Sequence, residues 1–76
     1  MTKLIMHEID GTDTIILARQ ADEYFTFLKE GVREKCLEKG IHLYKEEDGT
    51  AYLAGEDGVI LAKGMSTIRT YVEYLL

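Results

Sequence analysis

The chain has 76 residues and a mass of 8.7 kDa, with 46% hydrophobic and 30% charged residues. This size fits a single small domain spanning residues 1–76 and excludes nucleotide-binding doubly wound sheets and β/α barrels, which need much longer chains. Fourteen acidic and nine basic residues give a net charge of −5, which disfavours nucleic acid as a partner because its phosphates repel an acidic surface.

The N-terminal segment and the single cysteine indicate the expected location. Only three apolar residues stand together before His7 and Glu8, too few for the core of a signal peptide. No apolar run approaches the roughly 18 residues that a membrane span needs. Cys36 cannot form an internal disulfide, so nothing indicates an oxidising compartment. We expect a cytoplasmic chain without a membrane partner.

The first predicted element is a β-hairpin. Lys3–Ile9 and Thr14–Ala18 are rich in β-branched and large apolar residues. The four residues between them, beginning with Asp10-Gly11, are typical of a tight turn between two strands.

A helix is predicted next, because the apolar residues change to steps of three and four. These residues form one stripe: Ala21, Phe25, Leu28, Val32 and Cys36. Asp22 is the expected N-terminal cap and Gly40 the expected C-terminal cap. Gly31, in the middle, weakens the helix.

Three further strands and a final helix complete the prediction. The strands are Ile41–Lys45, Thr50–Ala54 and Val59–Lys63, separated by turns that end in Asp-Gly. Ser66 is the expected cap of the last helix, whose apolar face contains Ile68, Val72 and Leu75.

These elements predict an α+β domain with the order β-β-α-β-β-β-α. We expect an antiparallel or mixed sheet of about five strands with two helices on one face. Residues 11–28 also resemble residues 55–72 at an offset of 44, with six identities in eighteen positions. This similarity suggests an internal duplication. The identical pairs are Gly11/Gly55, Asp13/Asp57, Ile16/Ile60, Leu17/Leu61, Ala18/Ala62 and Thr26/Thr70.

No motif of a metal, cofactor or catalytic site is found. The acidic turns do not have the ligand spacing of a calcium loop. His7, Cys36 and His42 fall on separate predicted elements, without the short spacings of zinc sites. Cys36 lies on the apolar stripe, where a thiol usually packs as a small hydrophobe. We therefore expect no enzyme, no cofactor and no bound metal.

The strands are apolar on both faces, whereas two helices can cover only one face of a sheet. The second face is predicted to carry His42, Tyr44 and Tyr52, and to need cover from another chain. We therefore predict a homodimer or a protein partner that contacts this face. Acidic turn residues would orient a basic partner. The predicted partner-binding residues are Tyr44, Tyr52, His42, Glu47, Glu56 and Asp57.

Three hypotheses of function follow. The first is a non-enzymatic protein-binding module that regulates or inhibits another protein. The second is a small-ligand binder or enzyme assembled at an oligomer interface, with His7, His42, Tyr44 and Tyr52 lining the site. The third, which the negative charge disfavours, is a regulator associated with nucleic acid.

Overall fold

The computed structural model describes residues 1–75, which form five strands, one 3₁₀ helix and two α-helices. The predicted α+β class and element order are confirmed. In chain order the elements are β1 (Thr2–His7), β2 (Asp13–Gln20), the 3₁₀ helix (Asp22–Phe27), α1 (Val32–Glu38), β3 (His42–Lys45), β4 (Ala51–Ala54), β5 (Ile60–Lys63) and α2 (Met65–Leu75).

The five strands form one sheet in which each strand pairs antiparallel with the next in the chain. Strand β2 changes partner along its length: Asp13–Ala18 pairs with β1, whereas Arg19 and Gln20 pair with β3. A strand shared in this way turns the sheet through a corner, and the sheet curls.

The curl brings the first strand to the last. Ile5 forms a parallel bridge with Val59, and the Ile5 N–H donates a hydrogen bond of 2.8 Å to the Gly58 carbonyl. The direction of this contact follows from the odd number of strands, because in an antiparallel series of five the first and fifth strands run the same way.

Two hydrophobic cores lie on opposite faces of the curled sheet. The helix-side core lies between the sheet and the helices and consists of Phe25, Val32, Cys36, Ile41, Leu43, Ala51, Leu53, Ala62, Ile68 and Val72. The inner core lies within the curl and consists of Leu4, Ala18, Tyr44, Tyr52 and Ala54, with Met6, Ile16 and Ile60 packed against them.

The expectation that the second sheet face needs cover from another chain is wrong. That face is the inner core, and the chain's own β1 and β2 cover it by supplying Leu4 and Ala18. The curl buries apolar side chains on both faces of β3 and β4 within one protomer.

The first predicted helix is divided into two. The 3₁₀ helix ends at Phe27, and α1 begins only after Gly31, whose φ of +86° belongs to the left-handed region. The apolar stripe nevertheless continues across the break, because Ala21, Phe25, Val32 and Cys36 are all buried. Glycine adopts this conformation without steric cost, which explains a break at this residue.

Of the three predicted helix caps, the structure confirms one and differs at the other two. Gly40 ends α1 as predicted: its N–H donates to the Leu37 carbonyl, and the Ile41 N–H donates to the Cys36 carbonyl, which is the Schellman arrangement. Asp22 caps no helix and bonds to β3 instead. Ser66 lies inside α2, which begins at Met65 after Gly64.

The longest helix in residues 1–75 is α2, with 11 residues, and no helix of this part of the chain has the length and apolar character needed to cross a membrane.

Candidate functional site

The three hairpin turns share one geometry. In each five-residue turn the first N–H donates to the fifth carbonyl, and the fourth N–H donates back to the first carbonyl. The third residue is Asp and the fourth is Gly with a positive φ. The turns are residues 8–12, 46–50 and 55–59.

The aspartate of each turn has a structural role. Asp10, Asp48 and Asp57 each accept a hydrogen bond from the backbone N–H two residues ahead, at 2.9–3.1 Å. Hydrogen bonds from Thr12 and Thr50 lower the pKa of Asp10 and Asp48 respectively. Each turn therefore uses its Asp to hold the backbone, which explains in part why acidic residues are concentrated at the turns. The predicted site residue Asp57 belongs to this group.

Glu47 and Glu56 occupy the second position of their turns and are exposed. Glu47 lies beside Met1 and Arg19, at one end of the β1–β2 hairpin. Glu56 lies over the end of α1, where a Cβ added to Gly40 would come 2.5 Å from Oε1 of Glu56. The two carboxylates therefore lie at different places on the surface.

Tyr44 and Tyr52 face each other across β3 and β4, within the inner core, and only 6% and 2% of their surfaces are exposed. The Tyr52 hydroxyl donates a hydrogen bond to the Glu46 carboxylate. Burial, helped by this hydrogen bond and the negative charge of Glu46, raises the pKa of Tyr52 to about 12. Both rings contribute to the fold rather than to an open surface.

His42 belongs to a polar junction between β3 and the 3₁₀ helix. Its Nδ1 lies 3.0 Å from Oδ2 of Asp22, and Oδ1 of Asp22 accepts the Leu43 N–H at 2.9 Å. Gln20 donates to the same carboxylate at 2.7 Å. Partial burial alone would raise the pKa of Asp22, but these hydrogen bonds outweigh it and hold the pKa below its ordinary value. The junction fixes the 3₁₀ helix on the sheet.

The remaining groups with chemical potential lie apart from this junction. His7 Nδ1 contacts Oδ1 of Asp13 at 2.6 Å on the exposed end of the β1–β2 hairpin. Cys36 is a free, buried thiol in the helix-side core, and its pKa is raised by burial and by the charge of Asp22. Its predicted position on the buried stripe is confirmed.

The structure therefore does not bring the predicted site residues together. Tyr44 and Tyr52 are internal, His42 is half-buried in a junction, and Glu47 and Glu56 lie on separate turns. Among residues 1–75, no three or more His, Cys, Asp or Glu side chains are grouped so that they could hold a metal ion.

A different surface is exposed and apolar: the side of the β1–β2 hairpin that faces away from the inner core. The helices lie over β3, β4 and β5, so they leave this side uncovered. Cross-strand pairing arranges its side chains in three rows. We name this side of the hairpin the outer hairpin face. Its three rows are Lys3 beside Leu17, Ile5 beside Ile15, and His7 beside Asp13.

Two side chains dominate the outer hairpin face. Ile15 is 55% exposed and Leu17 is 53% exposed, and Ile5 lies half-buried between Ile15 and Val59. The sequence analysis missed this site because it expected apolar side chains of β1 and β2 to share one uncovered face with Tyr44 and Tyr52, whereas the two tyrosines are buried and Ile15 and Leu17 are exposed. The alternation of β2 was the available signal: Ile16 and Ala18 share one face, so Ile15 and Leu17 must share the other.

A groove lies between α2 on one side and, on the other, α1 with the segment before it. This groove of about 650 Å³ has Leu28, Val32 and Val72 as its apolar part. Its charged rim consists of Lys29, Glu30, Lys35, Arg69 and Glu73.

Comparison of the chain with protein-family models, curated proteins and solved structures finds no match.

Proposed function

We propose that the chain is a small non-enzymatic protein-binding module that docks another protein on its outer hairpin face and thereby regulates or inhibits it. The observation that carries this proposal is the exposure of Ile15 and Leu17 side by side with Ile5, in a chain whose two cores are already formed without them. Contiguous exposed apolar side chains commonly mark interaction surfaces.

The strands that carry the face suit it for docking. Six consecutive residue pairs join β1 to β2, from Thr2 and Ala18 to His7 and Asp13. A paired hairpin holds its side chains in one arrangement, so little conformational entropy is lost when a partner binds. Specificity would come from the polar side chains of the two outer rows, which are Lys3 at one end and His7 and Asp13 at the other.

The partner is proposed to be basic, because the chain has a net charge of −5 and Glu8, Asp10 and Asp13 lie at the turn end of the hairpin. Complementary charge would accelerate encounter and select against acidic partners, while Ile5, Ile15 and Leu17 would provide most of the affinity.

Affinity capture with paired variants tests this proposal. Leu17→Glu places a charge in the apolar patch, whereas Tyr74→Glu makes a comparable change on α2, where Tyr74 is 94% exposed. Proteins captured by the wild type and by Tyr74→Glu should be lost with Leu17→Glu, and the binding of each purified partner should weaken at least about tenfold. Equal capture by both variants would show that docking does not use this face.

The groove beside α1 and α2 supports a second candidate function, the binding of a small anionic ligand. Its volume of about 650 Å³ is within the range of ligand sites, and its rim has three basic side chains, Lys29, Lys35 and Arg69, against two acidic ones, Glu30 and Glu73. A thermal-shift screen of small carboxylates and phosphates would detect such binding as a rise in melting temperature.

A further inference from the structure

We infer that the turn at the end of the β1–β2 hairpin of one copy of this chain binds in the groove between α1 and α2 of a second copy, with Ile9 as the inserted side chain. We name this turn, residues 8–12, the hairpin tip. The inference does not involve the outer hairpin face. It rests on the second candidate function in one respect, because both assign a negatively charged occupant to the same groove.

The hairpin tip has one side chain that its turn geometry does not require. Residues 8–12 have the sequence Glu-Ile-Asp-Gly-Thr, and residues 46–50 have the sequence Glu-Glu-Asp-Gly-Thr. Both segments form the same backbone hydrogen bonds. They differ only at the second position, which is Ile9 in one turn and Glu47 in the other. Because the chain forms this turn equally with a charged side chain, the turn itself does not explain the isoleucine.

Ile9 belongs to neither core of residues 1–75, and its side chain is fully exposed. A single exposed apolar side chain is common on protein surfaces, so its neighbours decide what it indicates. Glu8 accepts a hydrogen bond from the Thr14 hydroxyl through Oε1. Asp10 accepts hydrogen bonds from the Thr12 N–H and hydroxyl through Oδ1. The hairpin tip therefore presents an apolar side chain between two carboxylates whose positions are fixed by these bonds.

The groove between α1 and α2 has the complementary arrangement, an apolar floor with basic side chains on its rim. Among its described lining residues, three basic side chains stand against two acidic ones, so the rim is net positive in a chain whose total charge is −5. Lys29 and Lys35 are exposed and take part in none of the ion pairs found among residues 1–75. The floor consists of Leu28, Val32 and Val72.

The hairpin tip and the groove therefore match in apolar character and in charge. Insertion of Ile9 would bury it against the floor, and the carboxylates beside it would lie near the lysines of the rim. The other two hairpin turns do not offer this combination, because Glu47 and Glu56 occupy the position of Ile9. Since every copy of the chain has both surfaces, a second copy is the occupant that these features favour.

The contact joins two different surfaces, so it is heterologous. Two copies can exchange their hairpin tips, or several copies can join in a row. One turn covers less than the roughly 800 Å² that a standard interface buries on each partner. Both copies are also acidic, and salt screens their overall repulsion. We therefore expect a weak association that is measured at high protein concentration and physiological salt.

Two variants, each altered on one of the two surfaces, test the inference by sedimentation equilibrium over a concentration series. Ile9→Glu removes the apolar side chain and gives residues 8–12 the sequence that the chain already folds at residues 46–50. Lys29→Glu with Lys35→Glu reverses the charge of two exposed positions on the rim. Each variant alone should self-associate at least about tenfold more weakly than the wild type.

A mixture of these two variants should restore the contact. The Ile9→Glu variant keeps its groove, and the double lysine variant keeps its hairpin tip, so an equimolar mixture should form a complex. Nuclear magnetic resonance locates the contact: isotope-labelled Ile9→Glu, titrated with the unlabelled double lysine variant, should show shift changes concentrated at Leu28, Val32 and Val72.

Controls separate these effects from net charge and from misfolding. Leu17→Glu alters the outer hairpin face, and Lys39→Glu with Lys63→Glu reverses two exposed lysines outside the groove. Both controls should associate like the wild type. Ile9→Ser changes no charge and should weaken association as Ile9→Glu does. Circular dichroism establishes that each variant is folded, and Lys29→Gln with Lys35→Gln replaces the double lysine variant if that one fails to fold.

Three results would overturn the inference: a wild-type chain that stays monomeric at every concentration, Ile9 variants that associate as strongly as the wild type, or a mixture without shift changes in the groove. The proposed functions fail separately. A monomeric wild type whose melting temperature is raised by small anions removes only the second copy from the groove. Association that depends on Ile9, without any effect of small anions, removes only the small ligand. Protein capture through Leu17 is independent of both results.

Discussion

The hydroxyl group of Tyr52 lies at the boundary of the inner core, where it donates to the Glu46 carboxylate while the ring is buried. Its pKa is raised to about 12 because burial and the neighbouring negative charge both disfavour the phenolate. The unfolded chain loses this proton near pH 10. Stability from this group is therefore fully present below about pH 10 and is lost as the pH rises toward 12.

We expect Tyr52→Phe to be about 1 kcal/mol less stable than the wild type at neutral pH, because it loses the hydrogen bond to Glu46. Above about pH 10 the difference should shrink, since the variant has no raised phenol pKa at this position. Urea unfolding at a series of pH values measures both effects, with Tyr74→Phe as an exposed control. Parallel pH curves for the wild type and Tyr52→Phe would contradict the assignment.

Among the elements, the turn between β4 and β5 has a requirement that the other two turns lack. Gly58 has a φ of +79°, and a Cβ added there would lie 3.1 Å from the Lys3 carbonyl oxygen of β1. Gly49, in the equivalent position of the β3–β4 turn, has a φ of +90° but no atom within 4 Å of its added Cβ. Both glycines provide a left-handed turn residue, and only Gly58 also permits close approach of another strand.

Replacing these two glycines by alanine separates the two effects. Gly49→Ala should cost about 1–2 kcal/mol, the penalty of the left-handed conformation. Gly58→Ala should cost measurably more, because β1 must also move away from the turn. Thermal unfolding of both variants measures the difference. Equal losses would show that contact between β1 and the turn adds little stability.

The element order could be predicted because it depends on local patterns. Alternation and Asp-Gly pairs marked the strands and turns, and steps of three and four marked the buried positions Phe25, Val32 and Cys36. The spacing of the apolar residues did not reveal the break before α1, because the residues of the stripe on both sides of Gly31 face the same core.

Both halves of the suggested repeat form a turn, a strand and a helix, and the duplication stays a prediction. Its offset places Gly11 and Gly55 at different positions of their turns.

At the scale of the whole molecule, the decisive feature is the curvature of the sheet, which local patterns do not contain. Alternation shows that Tyr44 and Tyr52 share a face with each other, but whether this face is open depends on the contact between Ile5 and Val59, from opposite ends of the chain. The same curvature determines that Ile15 and Leu17 remain exposed. The candidate site could therefore not be located before the topology was known.

The net charge of −5 gives a prediction at this scale. Glu47→Lys with Glu56→Lys should slow association with a basic partner about tenfold at low salt and make the rate less dependent on salt. Glu47 lies beside Met1 at the start of β1, and Glu56 belongs to the turn that contacts β1 through Gly58. Stopped-flow kinetics with a captured partner measures this. Glu30→Lys with Glu73→Lys, beside the helical groove, is the matched control, and equal rates for the two double variants would exclude steering by the turns.

The contact of β1 with β5 also bears on the order in which the molecule folds. Every other strand pair joins neighbours in sequence, so hairpins can form early and independently, with little entropy lost in closing their loops. The bridge from Ile5 to Val59 must wait until the intervening strands are in place. We expect unfolding to begin at the same point, because separating β1 from β5 breaks one backbone hydrogen bond and the packing of Leu4 and would expose Tyr44 and Tyr52 to water. The helix-side core contains no residue of β1 or β2 and can persist through this step.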